Sequence, residues 1–132
     1  MTHAIKTLAI AALAGLTACA VPEMPDSDEG RALFIDNCAQ CHGLNGQGAG
    51  PWVAELGRKP PDLTTLYARG FDRAQVLSVI DGYRQQDVPG RVLPEWGLLL
   101  RGDTVPVDID GTLTPVPRPL AAVLAYLEEI QQ

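Results

Sequence analysis

The sequence predicts an all-α domain interrupted by one small β-hairpin near residues 105–116. Three patterns lead there. Apolar residues recur at three- to four-residue spacing in a first, a middle and a last segment, the period that gathers them on one helix face. The connecting stretches are dense in helix-stopping residues, with 13 Gly and 11 Pro among 132 residues. Asp110-Gly111 lies between alternating apolar residues, the strongest short-range signal for a hairpin.

The chain opens on a weakly basic stretch with His3 and Lys6, then an apolar run from Leu8 to Leu16. That run is well short of the roughly 20 residues a membrane-crossing helix needs and fits the apolar centre of a signal peptide. Leu16-Thr17-Ala18-Cys19 resembles the lipobox of bacterial lipoproteins, which implies removal of residues 1–18 and a lipid on Cys19. The competing readings are an ordinary secretory signal ending in small residues, and a free structural Cys19. Residues 19–27, with Pro22 and Pro25, read as a tether, which leaves 28–132 as one domain.

Asp26 or Ser27 is placed to cap the first helix, with Glu29 favourable in its first turn. Gly30, Leu33, Phe34 and Cys38 mark its buried face. Gly43 to Gly50 holds four glycines and reads as loop, and an irregular segment runs on from Pro51 to Pro60-Pro61. Asp62 or Thr64 starts a short helix to about Arg69, stopped by Gly70. Asp72 caps a longer helix with Ala74, Leu77, Val79, Ile80 and Tyr83 on its apolar side. Arg84 to Gly97 is a polar loop, and Leu98 to Leu100 one helical turn. In the hairpin, Pro115 and Pro117 are expected to limit strand length. Pro119 suits the first turn of a final helix to Ile130, whose buried stripe is Leu120, Val123, Leu124 and Leu127.

The chemistry is concentrated in Cys38-Ala39-Gln40-Cys41-His42. This C-x-x-C-H spacing is the attachment signature for c-type haem. Each thiol forms a thioether to a haem vinyl group, and the adjacent histidine is placed as an axial iron ligand. Structural zinc needs four N/S ligands, and the chain has no second cysteine pair. A redox C-x-x-C is expected near a βαβ pattern, which the sequence lacks. The chain's three cysteines divide without remainder: Cys19 for lipid, Cys38 and Cys41 for one covalent haem c, with His42 on its iron. The net charge is −6, more negative once Lys6 is removed, which argues against nucleic acid and against charge-driven adhesion to an anionic membrane.

A helix carrying C-x-x-C-H, a Gly-rich loop with Gly50-Pro51, a middle helix, a Pro-containing loop and an amphipathic last helix together resemble class I cytochrome c. The resemblance spans about residues 27–131. It implies a cytochrome c-like fold whose first and last helices cross, with Gly30 and Phe34 meeting Leu124, Tyr126 and Leu127. It also implies that the Pro51 carbonyl accepts a hydrogen bond from the second nitrogen of His42, unless Pro51 is a plain turn proline.

One departure bears on function. Family members usually carry Met-Pro-x-aromatic-Gly in the later loop, the Met being the sixth iron ligand. Here the stretch is Leu93-Pro94-Glu95-Trp96-Gly97, and leucine has no lone pair. The substitutes are Met24, Lys59 as a neutral amine, or Tyr67 and Tyr83 as phenolates; otherwise water, hydroxide or nothing fills the position. Peroxidase-type chemistry needs a distal acid or base, and no second His survives processing, so no enzyme is implied. Glu95 reads as solvated surface.

The leading function is a lipid-anchored electron carrier on the periplasmic face of a bacterial membrane. It passes single electrons between redox partners, a membrane oxidoreductase complex among them. Trp52 and Trp96 serve as pocket wall or plain core. Arg58, Lys59, Arg84 and Arg91 pair with haem propionates, dock an acidic partner, or are simply solvated. The alternatives are a five-coordinate gas-binding or sensing module with Leu93 over an open site, and an accessory subunit whose haem is structural. If Leu93 leaves the sixth position open, the reduced protein takes up CO readily. Leu93→Met should then suppress that uptake and raise the midpoint potential, since Met ligation raises it; optical CO titration of both forms checks this.

Overall fold

The computed structural model describes residues 22–70, 72–83 and 96–132. Residues 1–18, Cys19, Arg84, Arg91, Leu93, Pro94 and Glu95 lie outside the described residues. The first helix, α1, spans Ser27–Asn37. Its cap is Asp26, whose carboxylate accepts from the Glu29 amide at 2.8 Å, leaving Ser27 inside the helix. A break at Cys38 separates α1 from the single turn α2, Ala39–His42, which ends at Gly43. The segment after the Gly-rich loop contains a further turn, α3, Val53–Leu56, where the sequence reads as irregular.

The helix expected up to Arg69 is two 3₁₀ turns, Leu63–Thr65 and Tyr67–Arg69. The reason is local competition for backbone groups. The Asp62 carboxylate accepts from both the amide and the hydroxyl of Thr64, and the Thr65 hydroxyl donates back to the Asp62 carbonyl. Helix α4, Arg73–Asp81, is capped by Asp72 through the Gln75 amide. Gly82 in the left-handed region ends it, so Tyr83 falls beyond the helix and is exposed rather than on its apolar face. Leu77 is the buried anchor of α4, with Val76 and Ile80 half-buried beside it.

The hairpin pairs β1, Thr104–Ile109, with β2, Thr112–Pro117, in antiparallel register. Asp110 and Gly111, both at positive φ, make the two-residue turn, and the Gly111 amide donates to the Asp108 carboxylate at 2.7 Å. The prolines do not limit the strands as expected. In an antiparallel pair, hydrogen-bonded and non-hydrogen-bonded partners alternate. Counted from the Ile109–Thr112 pair that closes the turn, Pro106, Pro115 and Pro117 occupy the positions whose N–H would point outward. No ladder bond is lost there. Val105, Val107 and Val116 form the buried face.

The last helix, α5, spans Arg118–Glu129 with Pro in its first turn. Its buried face is broader than the expected stripe, adding Ala121, Ala122 and Tyr126 to Leu120, Val123, Leu124 and Leu127. Helices α1 and α5 cross in close contact. A Cβ on Gly30 would sit 1.9 Å from the Ala122 carbonyl oxygen and 2.9 Å from the Tyr126 Cβ. Phe34 stacks on Tyr126 with ring centroids 5.1 Å apart and planes at 49°. The Arg118 guanidinium closes the end of this crossing on both carboxylate oxygens of Glu29 and also donates to the Glu23 carbonyl. Arg73 ties α4 to the Glu128 carboxylate and the Asp108 carbonyl, and so to α5 and the hairpin.

Gly30→Ala forces a methyl into the α5 backbone. It should destabilise the domain by about 1–3 kcal/mol, the usual cost of overpacking, read as a lowered midpoint in denaturant.

Candidate haem site

Cys38 occupies the junction of α1 and α2, and one turn of helix presents Cys41 and His42 on the same side. The turn is closed by the Cys41 and His42 amides, which donate to the Cys38 carbonyl at 3.1 and 2.9 Å. Both thiols are free and half-buried. Burial, reinforced by the neighbouring Cys41, pushes the Cys38 thiol up to about 11. His42 is buried. Burial lowers its pKa below the ordinary histidine value, with the Pro61 carbonyl opposing, a shift toward the neutral form that metal ligation uses.

The orientation of the ring is set by one contact. With its proton on Nδ1, His42 donates to the Pro61 carbonyl at 3.3 Å. Nε2 is then the nitrogen with a free lone pair. The acceptor is Pro61, not Pro51 as the resemblance implies. A Cβ on Gly50 would lie 2.2 Å from the Gln40 carbonyl oxygen, and the Trp52 amide donates to that same carbonyl at 3.0 Å. This close return onto α2 leaves Pro51 exposed. The segment that passes the imidazole is Lys59 to Asp62, held by the Leu63 amide on the Gly46 carbonyl at 2.8 Å. The sequence signal that could have found it is the Pro60-Pro61 pair, an extended stretch with no N–H of its own to satisfy.

This donor set fits a covalently attached haem. Two half-buried thiols precede an imidazole with one nitrogen committed and the other available. Among the described residues no group of three or more His, Cys, Asp or Glu is placed to hold a metal ion. None of the described buried side-chain nitrogens or oxygens lacks a partner.

The structure sorts the substitutes for the sixth ligand. Met24 lines a groove with Pro25, Pro106, Val107 and Leu113 beside the hairpin, and His42 is not part of that groove. Lys59 is exposed and its Cε lies beside Gly48, on the segment that carries Pro61 and so on the imidazole's own side. Tyr67 and Tyr83 are exposed. Trp96 packs against the core, whereas Trp52 is half exposed. Arg58 and Lys59 are exposed.

Residues 27–89 match the family model described as Cytochrome c. The chain is 35% identical over 91 residues to Cbb3-type cytochrome c oxidase subunit FixP of Azorhizobium caulinodans, covering 68% of this chain and 27% of that protein. It is 32% identical over 79 residues to the CcoP subunit of a Cbb3-type cytochrome c oxidase of Azospirillum brasilense, covering 60% and 25%. The chain thus spans about a quarter of the length of these curated relatives. No solved structure matches significantly. Together the matches support a class I c-type cytochrome domain whose cofactor is covalent haem c.

The Thr64 hydroxyl, and then the Thr64 amide, hold the Asp62 carboxyl below its ordinary range. A depressed folded pKa stabilises the fold above the ordinary carboxylate pKa, and the benefit is lost as pH falls through the folded value. The stability difference between wild type and Asp62→Asn should therefore be constant at neutral pH and close in acid, as followed by denaturation at a series of pH values.

Proposed function

We propose that the protein is a membrane-anchored periplasmic cytochrome that carries single electrons between redox partners. The observation that carries this reading is the Cys38–Cys41–His42 constellation with its imidazole locked by the Pro61 carbonyl. Haem c, when bound, supplies one-electron iron chemistry. The chain's own residues do the rest: Cys38 and Cys41 hold the group permanently, His42 presents Nε2 to it, and Pro61 fixes the ring. A hydrogen bond from Nδ1 to a carbonyl also makes the imidazole a stronger donor. A closely packed α1–α5 crossing keeps Cys38, at the end of α1, in a fixed place, and rigid support lowers the structural rearrangement that accompanies electron transfer.

The anchor in this reading is a lipid on Cys19. No helix among the described residues is long and apolar enough to cross a membrane. Arg118 grips the Glu23 carbonyl, so the chain from Cys19 to the folded body reaches at most about 14 Å when fully extended. The eight residues to Ser27 would have reached roughly 30 Å. That short span supports a domain resting close to the bilayer, within reach of a membrane complex. The relatives are subunits of Cbb3-type cytochrome c oxidase, which makes a membrane-bound oxidase of that class the proposed partner. The acidic balance of the chain favours a basic docking face on it. The gas-binding alternative is favoured by Leu93 alone.

Reduced holo-protein should be reoxidised under oxygen by bacterial membranes containing a cbb3-type oxidase, and cyanide should block this. It should sediment with membranes when expressed from the full sequence, and Cys19→Ala should release it without loss of haem. A reduced protein that binds CO and is never reoxidised by such membranes would favour the gas-binding reading.

A further inference from the structure

The end of α5 holds the loop that orients His42, and one side chain makes most of the attachment. Gln131 accepts from the Tyr67 amide through Oε1 at 3.0 Å. Its Nε2 donates to the Leu63 carbonyl at 2.8 Å and to the Leu127 carbonyl at 2.5 Å. A single amide therefore joins both 3₁₀ turns of segment 62–69 to the last turn of α5. The Gln132 amide adds a bond to the Thr64 carbonyl at 3.0 Å. The same helix end reaches the Gly-rich loop. The Ile130 methyl lies where a Cβ on Gly46 would be within 2.9 Å, and the Gly46 carbonyl accepts from Leu63.

We propose that Gln131 is a positioning residue for the axial histidine: its amide fixes segment 62–69 so that the adjoining Pro61 carbonyl stays on His42 Nδ1. This rests on the reading of His42 as the iron ligand and goes beyond it. The 3₁₀ turns are short and cannot fix their own place, because their backbone bonds are local. Besides the Leu63 amide on the Gly46 carbonyl, the contacts to the end of α5 set where the segment lies relative to α2. A glutamine suits the task because it offers one acceptor and two donors at fixed geometry, matching an amide N–H and two carbonyls. The Pro61 contact is long at 3.3 Å, so a small drift of the segment breaks it. Its loss removes electron donation through the imidazole, which favours the reduced iron.

The test uses the haem-loaded protein. In Gln131→Ala the His42 Nδ1 proton, followed by NMR, should exchange with solvent about five- to tenfold faster, the factor an ordinary hydrogen bond imposes. The midpoint potential should rise. Glu29→Gln, which weakens the Arg118 pair at the other end of the α1–α5 crossing, is the control: it lowers stability but leaves exchange and potential unchanged. Should Gln131→Ala not accumulate, Gln131→Glu keeps the acceptor for Tyr67 and loses both donated bonds, and it should show the same two shifts. If exchange and potential in the Gln131 variant match those of wild type and Glu29→Gln, Gln131 is merely structural and the proposal fails. If the haem-loaded wild type shows no His42 imidazole on iron, the ligand assignment fails instead.

Discussion

Everything in this domain depends on how closely α1 and α5 approach at Gly30. With no side chain there, the α1 backbone rests on the Ala122 carbonyl, and Phe34 one turn on reaches Tyr126. This one approach sets both ends of the site. At one end α1 delivers Cys38, so the attachment residues start from the best-packed part of the fold. At the other, the last turn of α5 lands against the Gly-rich loop and segment 62–69. Site geometry is thus inherited from a helix crossing rather than built by the loops themselves.

That inheritance explains why weak local structure can hold a precise ligand. The residues from Gly43 to Gly70 include one four-residue helix and two 3₁₀ turns, too little regular structure to be rigid alone. They are stitched instead by bonds between segments: Gly48 to the His42 carbonyl, Leu63 to Gly46, Gln132 to Thr64. The hairpin plays a different part. Its Val105, Val107 and Val116 cover α5 on the side held by Arg73 and Arg118, so it braces the crossing and contributes nothing to the attachment residues.

The legible parts of the sequence were those with a local cause. Asp26 and Asp72 cap their helices, Pro119 opens the last one, and Asp110-Gly111 turns the hairpin, because each acts on residues within a few positions. Cys38, Cys41 and His42 stand out in the sequence because haem attachment demands that spacing, and the structure gathers them where α1 meets α2. What sequence reasoning missed acts at a distance or depends on register. Pro51 was the expected acceptor because it follows the Gly-rich loop, but the winding of Gly50 onto α2 brings the Pro61 carbonyl to the ring instead. Gln131 carries no sequence signal, because nothing local links it to Leu63 or Tyr67. The hairpin prolines were read as strand breakers because their pairing register was unknown.

On the proposed reading, the fold holds one iron centre that exchanges single electrons. The most direct measurement is an optical redox titration of the purified haem-loaded protein. One reversible wave that fits a single one-electron centre is expected, with the spectrum of a c-type haem throughout. Two waves, a multi-electron slope or no reversible haem transition would contradict it.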